Sequence, residues 1–381
     1  MIYLDSAATT VQKPPAVAEA CSRAMRCAAS PGRGGHRWGR EAASIVYDCR
    51  SAAAKLFHVP TPEQVVLTFN ATHGLNIAIR TLVKPGMTVV ISGYEHNAVT
   101  RPLRAIPDVT VKVASAPPFD TDGILEHFRC LISRGVDCVI CCHVSNVFGF
   151  ILPIEEISCL CRQFDTPLII DASQSAGCVP IDFTALGAQF IAMPGHKALY
   201  GPQGTGLLLC SQSGEPLLRG GTGSLSALQD MPEELPDRLE AGTPNVPGAA
   251  GLLEGLRFVS SVGVDKVCRY EQMLIRKLGE CLRNIEGIRT YLSANPDRQS
   301  GVLSFTVDGI DCERVGEWMD ARGVALRAGL HCAPTAHTSA GTLDTGTVRA
   351  SVSLFNTPRE MTRSAALLAH MQRTFKAPPP G

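Results

Sequence analysis

Two stretches decide the fold: Pro167-Leu168-Ile169-Ile170-Asp171-Ala172-Ser173-Gln174, and Phe190-Ile191-Ala192-Met193-Pro194-Gly195-His196-Lys197-Ala198-Leu199-Tyr200-Gly201-Pro202. In each, an apolar run of strand length ends at polar residues and turn formers. The runs are continuously apolar rather than alternating, which predicts strands covered on both faces, as in a mostly parallel sheet. Val65-Val66-Leu67-Thr68-Phe69, Thr88-Val89-Val90-Ile91-Ser92 and Val139-Ile140-Cys141-Cys142-His143 read the same way. Between the last of these and residue 167, Ile154-Glu155-Glu156-Ile157-Ser158-Cys159-Leu160-Cys161 has helical spacing. In such sheets ligands collect at the carboxyl ends of the strands. His96, Asn146, Asp171 and Lys197 all fall just past predicted strand ends.

From about residue 252 the pattern changes. A long amphipathic helix over 265–285 precedes a strand over 302–307 and a helix over 312–322. Strands over 324–326 and 348–354 follow, then a helix over 358–375. The expected organisation is an N-terminal segment (1–13), a large domain (14–251), a smaller α+β domain (252–375) and a Pro-rich disordered tail (376–381).

Composition sets bounds on function. A chain of 381 residues suits about two domains, and a hydrophobic content of 45% supplies their cores. Lys and Arg (35) balance Asp and Glu (35), so electrostatics offers no case for nucleic acid or an anionic membrane. The fifteen cysteines are scattered, odd in number and partly inside apolar runs, the pattern of reduced buried thiols rather than of a disulfide framework. Met1-Ile2-Tyr3-Leu4-Asp5 has no secretory character, and no apolar run approaches the roughly 20 residues of a membrane span. A soluble cytoplasmic protein is expected.

A lysine in a loop is usually solvated, and an Asp closing a strand is often a helix cap. Together, at the ends of buried strands, Lys197 and Asp171 supply what pyridoxal phosphate chemistry requires. That is a Schiff-base lysine and an acidic partner for the pyridine nitrogen. With these residues in view, the chain resembles the class V aminotransferase-like enzymes of fold type I, and among them the cysteine desulfurases. The resemblance runs from Tyr3-Leu4-Asp5-Ser6-Ala7-Ala8-Thr9-Thr10 to Arg349-Ala350-Ser351.

The resemblance implies further roles. Asp171 keeps the ring nitrogen protonated and Gln174 bonds the ring oxygen. His96, in Tyr94-Glu95-His96-Asn97, stacks on the ring. Ala71 and Thr72 open the phosphate loop at a helix N-terminus, with His196 adding a contact. Thr243 reaches the phosphate of a neighbouring subunit, which implies a homodimer. Ala7, Asn146, Arg327 and Arg349 bind substrate, Arg349 clamping its α-carboxylate.

One departure is Pro194, where the family has Ser before Gly-His-Lys; proline offers neither hydroxyl nor amide proton. Gly204-Thr205-Gly206 reads as a turn rather than as a second phosphate cradle.

Arg327-Ala328-Gly329-Leu330-His331-Cys332-Ala333-Pro334 resembles the signature of the Suf-type, or group II, desulfurases. The resemblance implies that Cys332 takes sulfur from L-cysteine as a persulfide, leaving L-alanine, and passes it to an acceptor protein, as in iron–sulfur cluster assembly. Arg327 and His331 are candidates for favouring its thiolate. Taken alone, Cys332 is one more core thiol, and His331, Cys332 and His337 fit no zinc spacing, so no metal is expected. The alternatives are a selenocysteine lyase or another class V lyase or transaminase, for which L-selenocysteine is the obvious substrate, and a non-enzymatic scaffold.

Overall fold

The computed structural model describes residues 1–32 and 35–376; the expectation for the tail beyond them lies outside the described residues. Numbered in chain order, the strands are β1 (Ile2–Tyr3), β2 (Val65–Thr68), β3 (Thr88–Ser92), β4 (Thr110–Ala114), β5 (Cys138–Cys142), β6 (Leu168–Asp171), β7 (Phe190–Pro194), β8 (Gly206–Cys210), β9 (Ile288–Tyr291), β10 (Val302–Val307), β11 (Val324–Ala325), β12 (Arg327–Gly329) and β13 (Thr347–Ser351).

Seven of them form one sheet in the order β2-β8-β7-β6-β5-β3-β4. All run parallel except β8, which is antiparallel to both its neighbours. Because side chains alternate across a strand, each strand feeds two cores. Val139, Cys141, Ile170 and Ile191 pack under the helices Arg37–Phe57, Ile154–Gln163 and Val246–Val262. Ile140, Ile169, Phe190 and Ala192 pack on the opposite face with Ala71–Leu82 and Asn97–Arg104. This is the two-sided burial that the apolar runs predict.

The outer edge of β2 is closed by a buried ion pair. Arg50 donates to Val65 O and, through both Nη atoms at 2.6–2.7 Å, to Glu240, which also accepts from Leu67 N. The free backbone groups of an edge strand are thereby satisfied. At the other edge, β4 leaves Val111 and Val113 partly exposed.

A second, antiparallel sheet runs β12-β13-β10-β9 and is covered by Val264–Arg283, Cys312–Asp320 and Pro358–Lys376. The expected single strand near 324–326 is two: β11 pairs with β1, and β12 pairs with β13. Ile2 and Leu4 are buried in this second core, so the N-terminal segment is built into it. No helix among the described residues is long and apolar enough to cross a membrane.

Candidate active site

The carboxyl ends of β3, β5, β6 and β7 meet the β12–β13 edge of the second sheet across one cleft. Ala7, Ala71, Thr72, His96, Asn146, Asp171, Gln174, His196, Lys197, Arg327, Cys332 and Arg349 all line it. Its empty space is about 870 Å³ including the open solvent at its mouth, a concave setting of the kind that holds small molecules.

Lys197 follows β7 on a tight loop. Tyr200 N donates to Lys197 O at 2.9 Å and Gly201 N to Gly195 O at 2.7 Å. Any Cβ at Gly195 would strike the Thr205 hydroxyl, so this turn requires glycine. Burial pushes the Lys197 amine down to about 8, with Asp171 opposing the shift and Arg349 and Arg327 adding to it. An amine with that value is about one-tenth neutral at pH 7, far more than an ordinary lysine, which is what a nucleophile or base needs. Asp171, 4% exposed, closes β6 and accepts from Ser173 N at 2.9 Å.

His96 caps Asn97–Arg104, its Nδ1 accepting from Ala98 N at 3.0 Å. Burial lowers its pKa, so the ring is neutral and its proton sits on Nε2. Beside it, Glu95 is fully buried beneath the cleft, accepting from Cys142 N at 2.7 Å and from the Ser92 hydroxyl. Burial raises its carboxyl to about 8.

The helix Ala71–Leu82 is capped by Asn70, whose side chain accepts from His73 N at 2.9 Å. First-turn amides have no intrahelical acceptor, so Ala71 and Thr72 present N–H groups to the cleft, a ready anion site. His196 contacts Thr9 Oγ1 at 3.1 Å, and burial pushes its imidazole down to about 4. Gln174 donates to Ala7 O at 3.0 Å. Pro194 ends β7 and faces the cleft with no hydrogen bond to give.

Cys332 stands on a turn from the second sheet. His331 and Cys332 are consecutive non-glycine residues with φ of 49° and 56°, a conformation that must be imposed by surroundings. Three bonds impose it: Asn146 Nδ2 donates to His331 O at 2.7 Å, Asn97 N to Cys332 O at 2.8 Å, and Ala333 N to Leu330 O at 2.9 Å. The His331 ring is buried with Nε2 3.1 Å from Thr347 O, and burial pushes it down to about 2. It is neutral, so of the two residues considered for assisting the thiol only Arg327 brings a charge. Cys142 also lines the cleft, but burial raises its thiol well above the usual range, whereas Cys332 is exposed.

Thr243 alone of the expected set is not brought to this cleft. It lines a separate hollow with Phe69, His73 and Gly242. Two residues not singled out in the sequence belong to the site: Glu95, and Asp5, which accepts from Arg349 Nη2 at 2.7 Å. Both sit inside motifs that were quoted for their neighbours.

The family model of the class-V aminotransferases matches residues 2–363. The chain belongs to that family. A probable cysteine desulfurase of Mycolicibacterium paratuberculosis is 32% identical over 375 residues, which cover 95% of this chain and 54% of that protein. One from Methanothermobacter thermautotrophicus is 31% identical, covering 94% of this chain and 92% of its own. The apo structure of a cysteine desulfurase from Thermococcus onnurineus matches with a TM-score of 0.89 at 28% identity, over 98% of this chain and 95% of that one. Within its family, the chain therefore stands with the cysteine desulfurases.

Proposed function

We propose that the protein is a pyridoxal phosphate-dependent cysteine desulfurase, converting L-cysteine and the Cys332 thiol into L-alanine and a Cys332 persulfide. The observation that carries this reading is the convergence on one cleft of Lys197 with its lowered pKa, the Asp171 carboxylate and the exposed Cys332 thiol. The names of the relatives favour this reaction over the selenocysteine lyase alternative.

The residues fit the cofactor. Lys197 is the amine for its aldehyde, Asp171 the anion for its ring nitrogen and His96 the flat partner for its ring face. Ala71 and Thr72 offer amides to its phosphate, with His196, and Gln174 and Asn146 are the polar groups for the ring oxygen. When bound, the cofactor supplies an electron sink for negative charge at the substrate α-carbon. The Lys197 amine would hold and return the proton of the substrate α-carbon. His96, with its proton on Nε2, is a donor within the same cleft. Arg349, Arg327 and the Asn146 region take the substrate carboxylate, which leaves the side-chain sulfur toward the turn bearing Cys332. The Cys332 thiolate attacks that sulfur; the carbon–sulfur bond breaks and a sulfur–sulfur bond forms.

The same reading gives Thr243 to the phosphate of a partner protomer in a homodimer, consistent with its position outside its own cleft. Exposure of Cys332 suits onward transfer to an acceptor thiol on another protein, as cluster assembly would need.

The test is alanine production from L-cysteine by the wild type and by Cys332→Ala. The variant is expected to keep the visible absorbance of the bound cofactor and to lose alanine formation. Equal alanine production would remove Cys332 from the reaction.

A further inference from the structure

The N-terminal segment carries a carboxylate into the cleft for which the chemistry above has no role. Asp5 Oδ1 accepts from Arg349 Nη2 at 2.7 Å, and Arg349 Nη1 donates to Asn146 O at 2.9 Å. Arg349 is 2% exposed, and a guanidinium so buried is unfavourable unless an anion answers it. Asp5 is that anion. Arg349 Nε, buried too, has no acceptor.

Asp5 is delivered to this position by the backbone. Ser351 N donates to Leu4 O at 2.7 Å and Ala7 N to Ser351 Oγ at 2.9 Å, so the residues flanking Asp5 are both fastened to the end of β13. Tyr3 Oη donates to Asp5 O at 3.1 Å. The contact belongs to the fold and does not depend on a loose chain end.

Counting charge shows what the contact does. Arg327 and Arg349 are register partners on adjacent strands, and Asp5 already answers one of them. A substrate carboxylate therefore meets no unpaired buried cation. What it finds is the N–H groups of Arg349 that Asp5 and Asn146 leave free, Nε–H among them, and the exposed guanidinium of Arg327, whose pull is screened by water.

Resting on the reading of Arg349 as the substrate-carboxylate residue, we propose that Asp5 is a specificity-determining residue, a built-in carboxylate that quenches Arg349 in the free protein. Simple carboxylates then gain little at the clamp. An amino acid, held also through its amine, gains the Arg349 donors that Asp5 and Asn146 leave free. Selectivity arises by denying the competitor an unpaired charge.

Acetate is the probe, with chloride at equal ionic strength as control, applied to holoenzymes of wild type, Asp5→Asn, Asp5→Glu and Arg349→Lys. In Asp5→Asn the buried guanidinium is left unanswered. Acetate should then raise its melting temperature, and inhibit L-cysteine turnover, at a concentration at least about tenfold below that needed for wild type. Asp5→Glu keeps the charge and should respond to acetate as wild type does. Should Asp5→Asn fold only when acetate is supplied, and not with chloride, the proposal is supported. An Asp5→Asn protein that acetate neither stabilises nor rescues beyond wild type overturns it. Arg349→Lys separates this from the underlying reading. If its KM for L-cysteine is unchanged, Arg349 is not the substrate clamp, while the acetate response of Asp5→Asn still reports on the Asp5–Arg349 pair.

Discussion

Lys197 and Cys332 face one cleft from two different sheets, and their surroundings differ in what governs each as a nucleophile. Lys197 leaves a strand buried on both faces and is shifted toward its neutral form by loss of water. Cys332 is exposed, on a left-handed turn held by hydrogen bonds to its backbone. The amine is tuned by its environment and the thiol by its position. A group that must stay neutral gains from burial. A thiol that must ionise would be silenced by it, as Cys142 a short way along the same cleft is.

The comparison can be broken most forcefully at the amine. Lys197→Ala removes the amine at the end of β7, and alanine formation should fall by at least about 10³-fold, in the range of a positioned proton-transfer group. Borohydride treatment followed by peptide mapping should label residue 197 in the wild-type holoenzyme; an unlabelled lysine would dismantle the proposed chemistry.

A smaller effect is expected where the two sides are tied together. Asn146→Ala takes away the donor to His331 O and leaves a buried carbonyl unsatisfied, a loss of about 1–3 kcal/mol. The backbone oxygen of residue 146 still accepts from Arg349, so the clamp is spared. The expected signature is a lower melting temperature, with alanine formation reduced about tenfold as the thiol loses its aim. An unchanged rate would show that the turn needs no staple from the loop after β5.

The smallest effect concerns pH. Glu95 is raised by burial to about 8, against an ordinary value of 4.5. Between those values the folded chain keeps a proton that the unfolded chain releases, so this contribution to stability is complete below pH 4.5 and is lost as pH rises through 8. Glu95→Gln fixes the neutral form and should flatten the decline in melting temperature between pH 5 and pH 8 by a few degrees. Glu271, buried on the helix Val264–Arg283 and also raised to about 8, gives a second site with the same sign. A Glu95→Gln protein with the parent's slope would assign the whole effect to Glu271 or elsewhere.

Much of this was legible in the sequence because it rests on local signals. β3, β6 and β10 fall where apolar runs end in turn residues, and the motifs around residues 70, 96, 171, 197 and 332 all lead into the same cleft. What stayed hidden depends on distant partners or on charge inside the protein. Asp5 meets Arg349 across 344 residues. Glu95 reads as a loop residue until burial is known, since a carboxylate is ordinarily taken for surface. The neutrality of His331 likewise depends on burial, with the Arg349 charge, eighteen positions away, adding to it. β4 alternates in Val109-Thr110-Val111-Lys112-Val113 but is not a continuous apolar run like its neighbours, and at the sheet edge its valines are left exposed.

The pairing of β1 with β11, and of Asp5 with Arg349, also sets an order of events during synthesis. Residues 2–10 leave the ribosome early, yet each of these partners emerges more than three hundred residues later. The seven-stranded sheet can form, with Thr9 and Thr10 held to His196, while residues 2–5 still wait for their partners. Assembly of the catalytic pocket is therefore a late, long-range closure rather than a stepwise one, and a nascent chain halted short of β13 would carry a finished lysine pocket with no lid of amino-terminal residues to complete it.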